Sequence, residues 1–178
     1  MRRAFQFCAI ALVGLTAVAC GGQHAESDAL SRGDAAWARG EFTEALAEYR
    51  LALRASDDAQ TVIRVAHAYA QLGRPDDARP YYRQAVEADP ELKTQAISDL
   101  VVMARTADAR GDRYGLASSL EFALELEPGI GIGRLALPLA EYYAEAGEFE
   151  RALPLFQAAA TAMPVDEGSR IYFDMGQA

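Results

Sequence analysis

The chain contains 178 residues, and its 26 acidic and 17 basic side chains give a formal net charge of −9 at pH 7. A negative charge of this size disfavours contact with the phosphates of nucleic acids and with anionic lipid headgroups, which proteins bind through lysine and arginine. Nucleic-acid binding is therefore not expected, and the length fits one domain.

The first 19 residues have the pattern of an export signal. Arg2 and Arg3 precede an uncharged run over residues 4–19 that ends in small residues. A basic start, a short apolar stretch and small residues before a cleavage site are typical of secretory signals, and the run is shorter than the ~20 residues that span a bilayer. We predict that residues 1–19 are a signal peptide, whose removal changes the net charge to −11 because both arginines leave with it.

Cys20 directly follows the small residues 17–19, and this order is similar to the lipobox of bacterial lipoproteins, although Ala17 stands where leucine is usual. Because Cys8 lies in the predicted signal, Cys20 is the one thiol that remains, and no intramolecular disulfide is possible. The resemblance implies cleavage before Cys20 and lipidation of its thiol and its new amine. The alternative is ordinary secretion after a nearby cut. Residues 20–27 are then predicted to form a flexible tether.

Pairs of helices joined by a glycine turn are predicted after the tether. Residues 29–39 lead into Gly40, and residues 43–55 then place apolar side chains at helical spacing on one face. A glycine just past a helix supplies the left-handed residue that ends it. The second unit follows the same plan, with Gly73 between two helical patterns and Pro75 near the first position of the second helix.

Prolines mark further positions in these units. Asp89 and Pro90 are predicted to be the N-cap and first residue of the next helix. Pro80 and Pro154 fall inside second helices at equivalent places, where we expect a bend near the first turn on the exposed side. The third unit is the most divergent, because Leu116 replaces the alanine of the other units and predicts wider local packing.

The units recur at a constant internal spacing. In each unit an alanine follows the glycine 12 residues later, and in the last three a proline follows that alanine 5 residues later. The glycines are Gly40, Gly73, Gly111 and Gly147; the alanines are Ala52, Ala85, Ala123 and Ala159; the prolines are Pro90, Pro128 and Pro164. Such repetition is typical of stacked helical hairpins, since one hairpin cannot bury its apolar face alone.

The strings Gly40-Glu41-Phe42-Thr43-Glu44-Ala45, Gly147-Glu148-Phe149-Glu150-Arg151-Ala152 and Ala123-Leu124-Glu125-Leu126-Glu127-Pro128 resemble the tetratricopeptide repeat family. The resemblance implies an all-α solenoid of helix-turn-helix units over residues 28–178. The units are predicted at about 26–58, 59–92, 97–130 and 133–166. Residues 169–178 are predicted to form a partial repeat or capping helix, and three alternatives stay open for them: a short cap, a truncated sequence, or an exposed end that docks on a partner or a second copy.

The resemblance also implies that the first helices line a concave groove that binds a protein or peptide partner. The predicted groove residues are Leu30, Asp34, Trp37, Ile63, His67, Gln71, Val101, Arg105, Asp108, Arg134, Leu137, Glu141 and Glu145. Trp37 is either a binding hot spot or ordinary packing against the tether or second helix. His67 either titrates with groove occupancy or is a hydrogen-bonded spectator. Leu30 and Asp34 replace the first positions of the clamp with which some members grip a chaperone's terminal carboxylate, which disfavours a chaperone-tail adaptor.

Catalysis is not expected from these residues. His24 and His67 have no partner at metal-ligand spacing, and the loop over residues 129–133 lacks the third glycine of the phosphate-binding fingerprint and is predicted to connect two helices. Acidic side chains cluster at predicted helix starts, where the helix dipole favours them. We therefore predict no enzyme, no catalytic residue, no metal and no cofactor.

A signal, a lipidated cysteine and a helical solenoid together resemble bacterial lipoproteins that help to assemble type IV pilus secretins. Gly21-Gly22 after Cys20 lacks the aspartate of inner-membrane retention, so the resemblance implies the periplasmic face of the outer membrane. The function expected is a scaffold that binds a partner in its groove and assists assembly of an envelope complex. The alternatives are an adaptor that recruits cell-wall hydrolases and, from another class, a hydrolase or solute receptor with its pocket in the groove.

Overall fold

A computed structural model describes residues 20–162, Pro164 and Gly168, with side chains from residue 27 onward. The described chain forms eight α-helices and no strand, which confirms the all-α prediction. The helices α1 to α8 span Cys20–Ala38, Phe42–Leu53, Ala59–Gln71, Pro75–Ala88, Lys93–Ala109, Arg113–Leu126, Ala136–Glu145 and Phe149–Ala162.

Consecutive helices pair into four hairpins, α1 with α2, α3 with α4, α5 with α6, and α7 with α8. Each hairpin turns at a glycine with positive φ: 76° at Gly40, 68° at Gly73, 70° at Gly111 and 78° at Gly147. A side chain with a β-carbon rarely adopts this left-handed conformation, so glycine ends the first helix of every repeat. The predicted turns are therefore confirmed.

A proline and two capping side chains mark where several helices and turns begin. Pro75 is the first residue of α4, where its missing amide hydrogen costs no helical hydrogen bond. The Asp58 side chain accepts hydrogen bonds from the amides of Gln60 and Thr61 and caps α3. Asp89 accepts from the amide of Glu91, although the residues that follow form a short 3-10 turn, Pro90–Leu92, before α5 begins.

Two apolar clusters hold the hairpins together. The first is built around α2, α3 and α4, with Tyr82 completely buried at its centre and Phe122 1% exposed at its edge. The second joins α5 to α8 and includes Leu116, Leu120 and Leu139. Since each hairpin contributes to a cluster shared with its neighbour, the repeats form one continuous stack.

The interior prolines lie where the sequence predicts them, whereas the predicted tether does not. Pro80 and Pro154 do lie inside α4 and α8, and both are exposed. Residues 20–27, predicted to be a flexible tether, instead belong to α1, because the segment contains no proline and no other helix stop between Gly22 and the first repeat. The predicted partial repeat at 169–178 lies outside the described residues.

Candidate functional site

Two adjoining cavities open between the first helices of repeats one to three, and we call them together the groove. The turn-side cavity has a volume of about 280 Å³ and lies against the α3–α4 and α5–α6 turns. The mid-helix cavity, of about 260 Å³, lies beside the middle of α1 and α3. Trp37 and His67 line both cavities, so these two residues stand at the centre of the groove.

Trp37 lies in the last turn of α1 and is half-buried. Its ring meets the Phe42 ring edge-on with centroids 5.0 Å apart, and the His67 ring lies 6.4 Å away. It also packs against the first apolar cluster, so the ring is held in place by its neighbours. Trp37 can therefore serve both as packing and as a binding hot spot, because it packs against the apolar cluster and also lines the groove.

His67 is tied to the next repeat through Asp99. Its Nε2 atom contacts Asp99 Oδ2 in an ion pair when the ring is protonated, and Gln95 Nε2 lies 3.4 Å from the same ring nitrogen. Tyr82 donates its hydroxyl hydrogen to that Asp99 oxygen at 3.3 Å. Burial, reinforced by the charge of Asp99, raises the pKa of Tyr82, which therefore stays a donor at neutral pH.

A second polar group of the same kind occupies the mid-helix cavity. Tyr49 donates to Asp34 Oδ1 at 2.8 Å, and Arg64 Nε lies 3.3 Å from the same oxygen. Burial and the bond to Asp34 raise the pKa of Tyr49, so this hydroxyl also stays protonated. Asp34 thereby connects α1, α2 and α3 at the wall of the groove.

An exposed apolar surface lies beside these polar groups. Val102 on α5 is 48% exposed and lines the turn-side cavity together with Trp37 and Phe42. Apolar side chains beside fixed polar groups are the arrangement that anchors peptide side chains at protein interfaces. The groove therefore combines an apolar contact area with hydrogen-bonding groups whose positions are already set.

The structure brings five of the predicted groove residues together on the cavity walls. These are Asp34, Trp37, Ile63, His67 and Gln71. Leu30 and Val101 pack instead against the two apolar clusters as partly buried side chains. Arg105 and Asp108 are exposed on α5 but do not line either cavity. The physical reason is that the cavities are bounded by the flank of α5 that faces α3, whereas these residues lie on other faces of that helix.

The predicted residues of the fourth repeat lie away from both cavities. Leu137 packs against the second apolar cluster, and Glu145 pairs with Arg113 at 2.5 Å across the α6–α7 contact. Arg134 and Glu141 are exposed. The groove described by the two cavities is therefore confined to the first three repeats.

Among the lining side chains of the turn-side cavity that sequence reasoning missed are Asp99, Val102, Thr106 and Arg110. They follow one another at spacings of three and four residues, which places them on one face of α5. The sequence signal that could have indicated this face is the apolar side chain of Val102 among polar residues at helical spacing. Within the described residues, no group of three or more His, Cys, Asp and Glu side chains is arranged to hold a metal ion.

Comparison with known proteins gives matches to repeat units and to whole folds. Models of the tetratricopeptide repeat match residues 29–60, 59–92 and 133–158. A search of curated protein sequences finds no significant match. Among solved structures, a crystal structure of MamA is similar with 16% identity, covering 87% of this chain and 88% of that chain at a TM-score of 0.50.

Two further structures are similar at comparable levels. YrrB, described as a TPR protein with an unusual peptide-binding site, has 20% identity, with 80% of this chain and 71% of that chain covered at a TM-score of 0.52. Another crystal form of MamA has 24% identity, with 80% and 74% covered at a TM-score of 0.51. These likenesses show a shared fold. The repeat matches identify the chain as a member of the tetratricopeptide repeat family, whose members serve as scaffolds for protein–protein interaction.

Proposed function

We propose that this protein is a lipid-anchored, non-enzymatic scaffold of the bacterial envelope that binds a peptide segment of a partner in the groove. The observation that carries the proposal is the apolar surface formed by half-buried Trp37 and Phe42 and exposed Val102, beside the His67–Asp99 pair. An anchor side chain of the partner would cover the apolar surface, and the polar groups would orient it.

The arrangement suits a peptide better than a small metabolite. The two cavities run side by side along the first helices and share Trp37 and His67, so their combined shape is elongated. Glutamine side chains at Gln60, Gln71 and Gln95 also line them. Amide side chains offer both a donor and acceptors, which match the backbone groups of an extended peptide.

The envelope location rests on the sequence at the N-terminus. The predicted signal over residues 1–19, followed by Cys20, supports export and lipidation, and α1 begins at that same cysteine. In the described part of the chain, none of the helices has the length and apolar character needed to cross a membrane. The predicted signal and the cysteine that follows it lead us to propose attachment through acyl chains at Cys20, on the periplasmic face of the outer membrane.

The cellular role that we propose is assistance in assembling an envelope complex, such as a pilus secretin or an outer-membrane machine. A repeat scaffold fixed to the membrane at its first helix keeps its groove close to the bilayer. Tethering raises the effective concentration of the groove for a partner in the same membrane, and modest affinity then suffices.

The binding proposal is tested by crosslinked pull-down from envelopes with wild-type protein, Val102→Glu and Leu51→Glu. Val102 is 48% exposed in the groove and Leu51 is 47% exposed on α2 away from both cavities, so the two substitutions are matched in exposure and chemistry. We expect a secretin or barrel-assembly component to be captured by wild type and Leu51→Glu and lost with Val102→Glu. Capture of a wall hydrolase in that pattern would favour the hydrolase adaptor, and equal capture by all three proteins would place binding elsewhere.

Lipidation is tested separately by labelling cells with palmitate. Wild-type protein is expected to take up the label and to sediment with membranes, whereas Cys20→Ser should do neither. Continued labelling and sedimentation of Cys20→Ser would contradict the anchor, while leaving the binding proposal to its own experiment.

A further inference from the structure

We propose that the groove selects an internal peptide segment that carries an apolar side chain and, three or four residues away, a carboxylate that binds Arg110. This inference rests on the proposed peptide-binding function and adds the chemical class of the ligand. The apolar side chain is expected against Trp37 and Val102, and the carboxylate against the Arg110 guanidinium.

Two carboxylates of the groove already have partners within the protein. Asp34 is paired with Arg64 and accepts from Tyr49. Asp99 is paired with His67 and accepts from Tyr82. These two carboxylates are therefore already engaged by two donors each, and a basic group of a ligand would have to compete with bonds that the protein already makes.

The remaining charged groups are Asp112 and Arg110. Asp112 accepts a hydrogen bond from the amide of Gly115 at 2.9 Å and caps α6, so its carboxylate is also engaged. Arg110 lines the turn-side cavity, yet among the described residues its guanidinium has neither an ion pair nor a side-chain hydrogen bond. It is thus the charged group in the groove that is open to a ligand, and it favours an anion.

Arg110 also lies in the right place to meet a ligand that contacts the apolar surface. Its Nη1 atom is 3.8 Å from the position that a β-carbon on Gly73 would take, so the guanidinium reaches from the end of α5 to the α3–α4 turn. Arg110 is the C-cap residue of α5 and follows Val102 by eight residues, which corresponds to about 12 Å along the helix axis. An extended peptide covers about 3.3 Å per residue, hence the spacing of three or four residues.

The negative net charge of the whole protein does not cancel this local preference. At physiological ionic strength, charges further away than about 8 Å are largely screened. A carboxylate in contact with Arg110 can form two parallel hydrogen bonds to the guanidinium, which are stronger than bonds between neutral groups. The open guanidinium therefore decides which charge is preferred at this end of the groove.

The test is a selection of short random peptides, displayed between constant flanking sequences so that no free terminus is offered. The library is selected on wild-type protein, Arg110→Glu, Arg105→Glu and Val102→Glu. Arg105 is the matched control, because it is an exposed arginine on the same helix that does not line the groove. We expect wild type and Arg105→Glu to enrich peptides with Asp or Glu three or four residues from a large apolar residue, and Arg110→Glu to enrich Lys or Arg there instead.

The selected peptides are then synthesised with amidated ends and titrated against the same proteins. Arg110→Glu should weaken the best acidic peptide about tenfold or more, and Arg105→Glu should leave its affinity unchanged. Peptides that are enriched on wild type and lost on Val102→Glu, but without an acidic preference, would overturn this inference and leave the proposed function standing. If wild-type protein enriches only peptides that Val102→Glu also enriches, the proposed peptide binding in the groove is wrong. Affinity that appears only when a peptide has a free carboxyl terminus would also contradict the inference that Arg110 binds an internal carboxylate.

Discussion

The Tyr82 hydroxyl donates to Asp99 Oδ2 at 3.3 Å, and this bond joins the second helix of one repeat to the first helix of the next. The same carboxylate is held by His67, so one oxygen atom connects α3, α4 and α5. Asp99 lines the groove, and its position is therefore set by two residues of the preceding repeat. A link that stabilises the stack also shapes the binding surface.

Tyr82→Phe should lower the free energy of unfolding by ~1 kcal/mol, because it removes one hydrogen bond from a buried site and leaves the ring in place. Tyr81→Phe is the matched control, since that neighbouring ring stacks on Tyr69 and its hydroxyl has no bond among the described residues. Urea unfolding of the two variants and wild type measures the difference. Equal stability of Tyr82→Phe and wild type would show that the bond contributes nothing.

Alkaline pH should destabilise the fold through the buried tyrosines. Burial raises the pKa of Tyr49, Tyr82 and Tyr143, so the folded protein keeps these protons to higher pH than the unfolded chain does. Above the unfolded pKa of about 10 the unfolded state binds fewer protons, and the free energy of unfolding must fall as pH rises. Urea titrations between about pH 8 and 11 should show this fall, with a shallower slope in Tyr82→Phe. A slope that the substitution leaves unchanged would exclude Tyr82 as a contributor.

Asp58→Ala should cost ~1 kcal/mol at pH 7, because it removes the N-cap of α3. Burial opposes ionisation of this carboxyl, but hydrogen bonds from Thr61, Ser56 and Gln60 outweigh it and lower the pKa of Asp58. A lowered folded pKa gives stability that is present above the unfolded pKa of about 3.9 and is lost as pH falls through the folded value.

The difference between Asp58→Ala and wild type should therefore shrink as the pH is taken below about 4. Asp57→Ala, at the neighbouring exposed carboxyl, is the control and should be as stable as wild type at pH 7. The measurement is the urea midpoint across this range. A deficit that persists unchanged in acid would mean that the ionised cap is not what stabilises α3.

Gly33→Ala should destabilise the first hairpin. A β-carbon at this position would lie 2.5 Å from Cε1 of Tyr49, whose ring is 3% exposed and cannot move without leaving the core. The higher helix propensity of alanine stabilises by up to ~1 kcal/mol, but overpacking of a core costs ~1–3 kcal/mol. We therefore expect a lower free energy of unfolding. Gly131→Ala is the control, since open space surrounds that position. Thermal unfolding compares the two, and a Gly33→Ala variant as stable as wild type would be evidence against the tight contact.

Local chemistry made much of the fold predictable. A left-handed residue is needed wherever two antiparallel helices are joined by so short a turn, so the glycines at 40, 73, 111 and 147 could be placed from their spacing alone. Pro75 was predictable because a first helical position tolerates a missing amide hydrogen. The start of α5 was harder to predict, because Asp89 caps a 3-10 turn that precedes the helix.

The groove was predictable only in its first two repeats. Trp37 and His67 lie at the positions that repeat alignment assigns to the concave face, and both line the cavities. On α5 the lining residues include Asp99 and Val102, whereas alignment pointed to Val101, Arg105 and Asp108. Which flank of α5 faces α3 depends on the angle between neighbouring hairpins. That angle results from packing of the whole interface, and no local pattern encodes it.

Partner binding in the groove is tested most directly by site-specific photocrosslinking in envelopes, with a photoreactive amino acid placed at Val102 or at Leu51. The two positions are equally exposed, but only Val102 lines the groove. If the groove binds a partner, we expect a discrete crosslinked partner from position 102 that is absent from position 51 and that disappears when Trp37 is changed to alanine. A partner crosslinked from position 51 and not from 102, or no crosslink from the groove at all, would contradict partner binding in the groove.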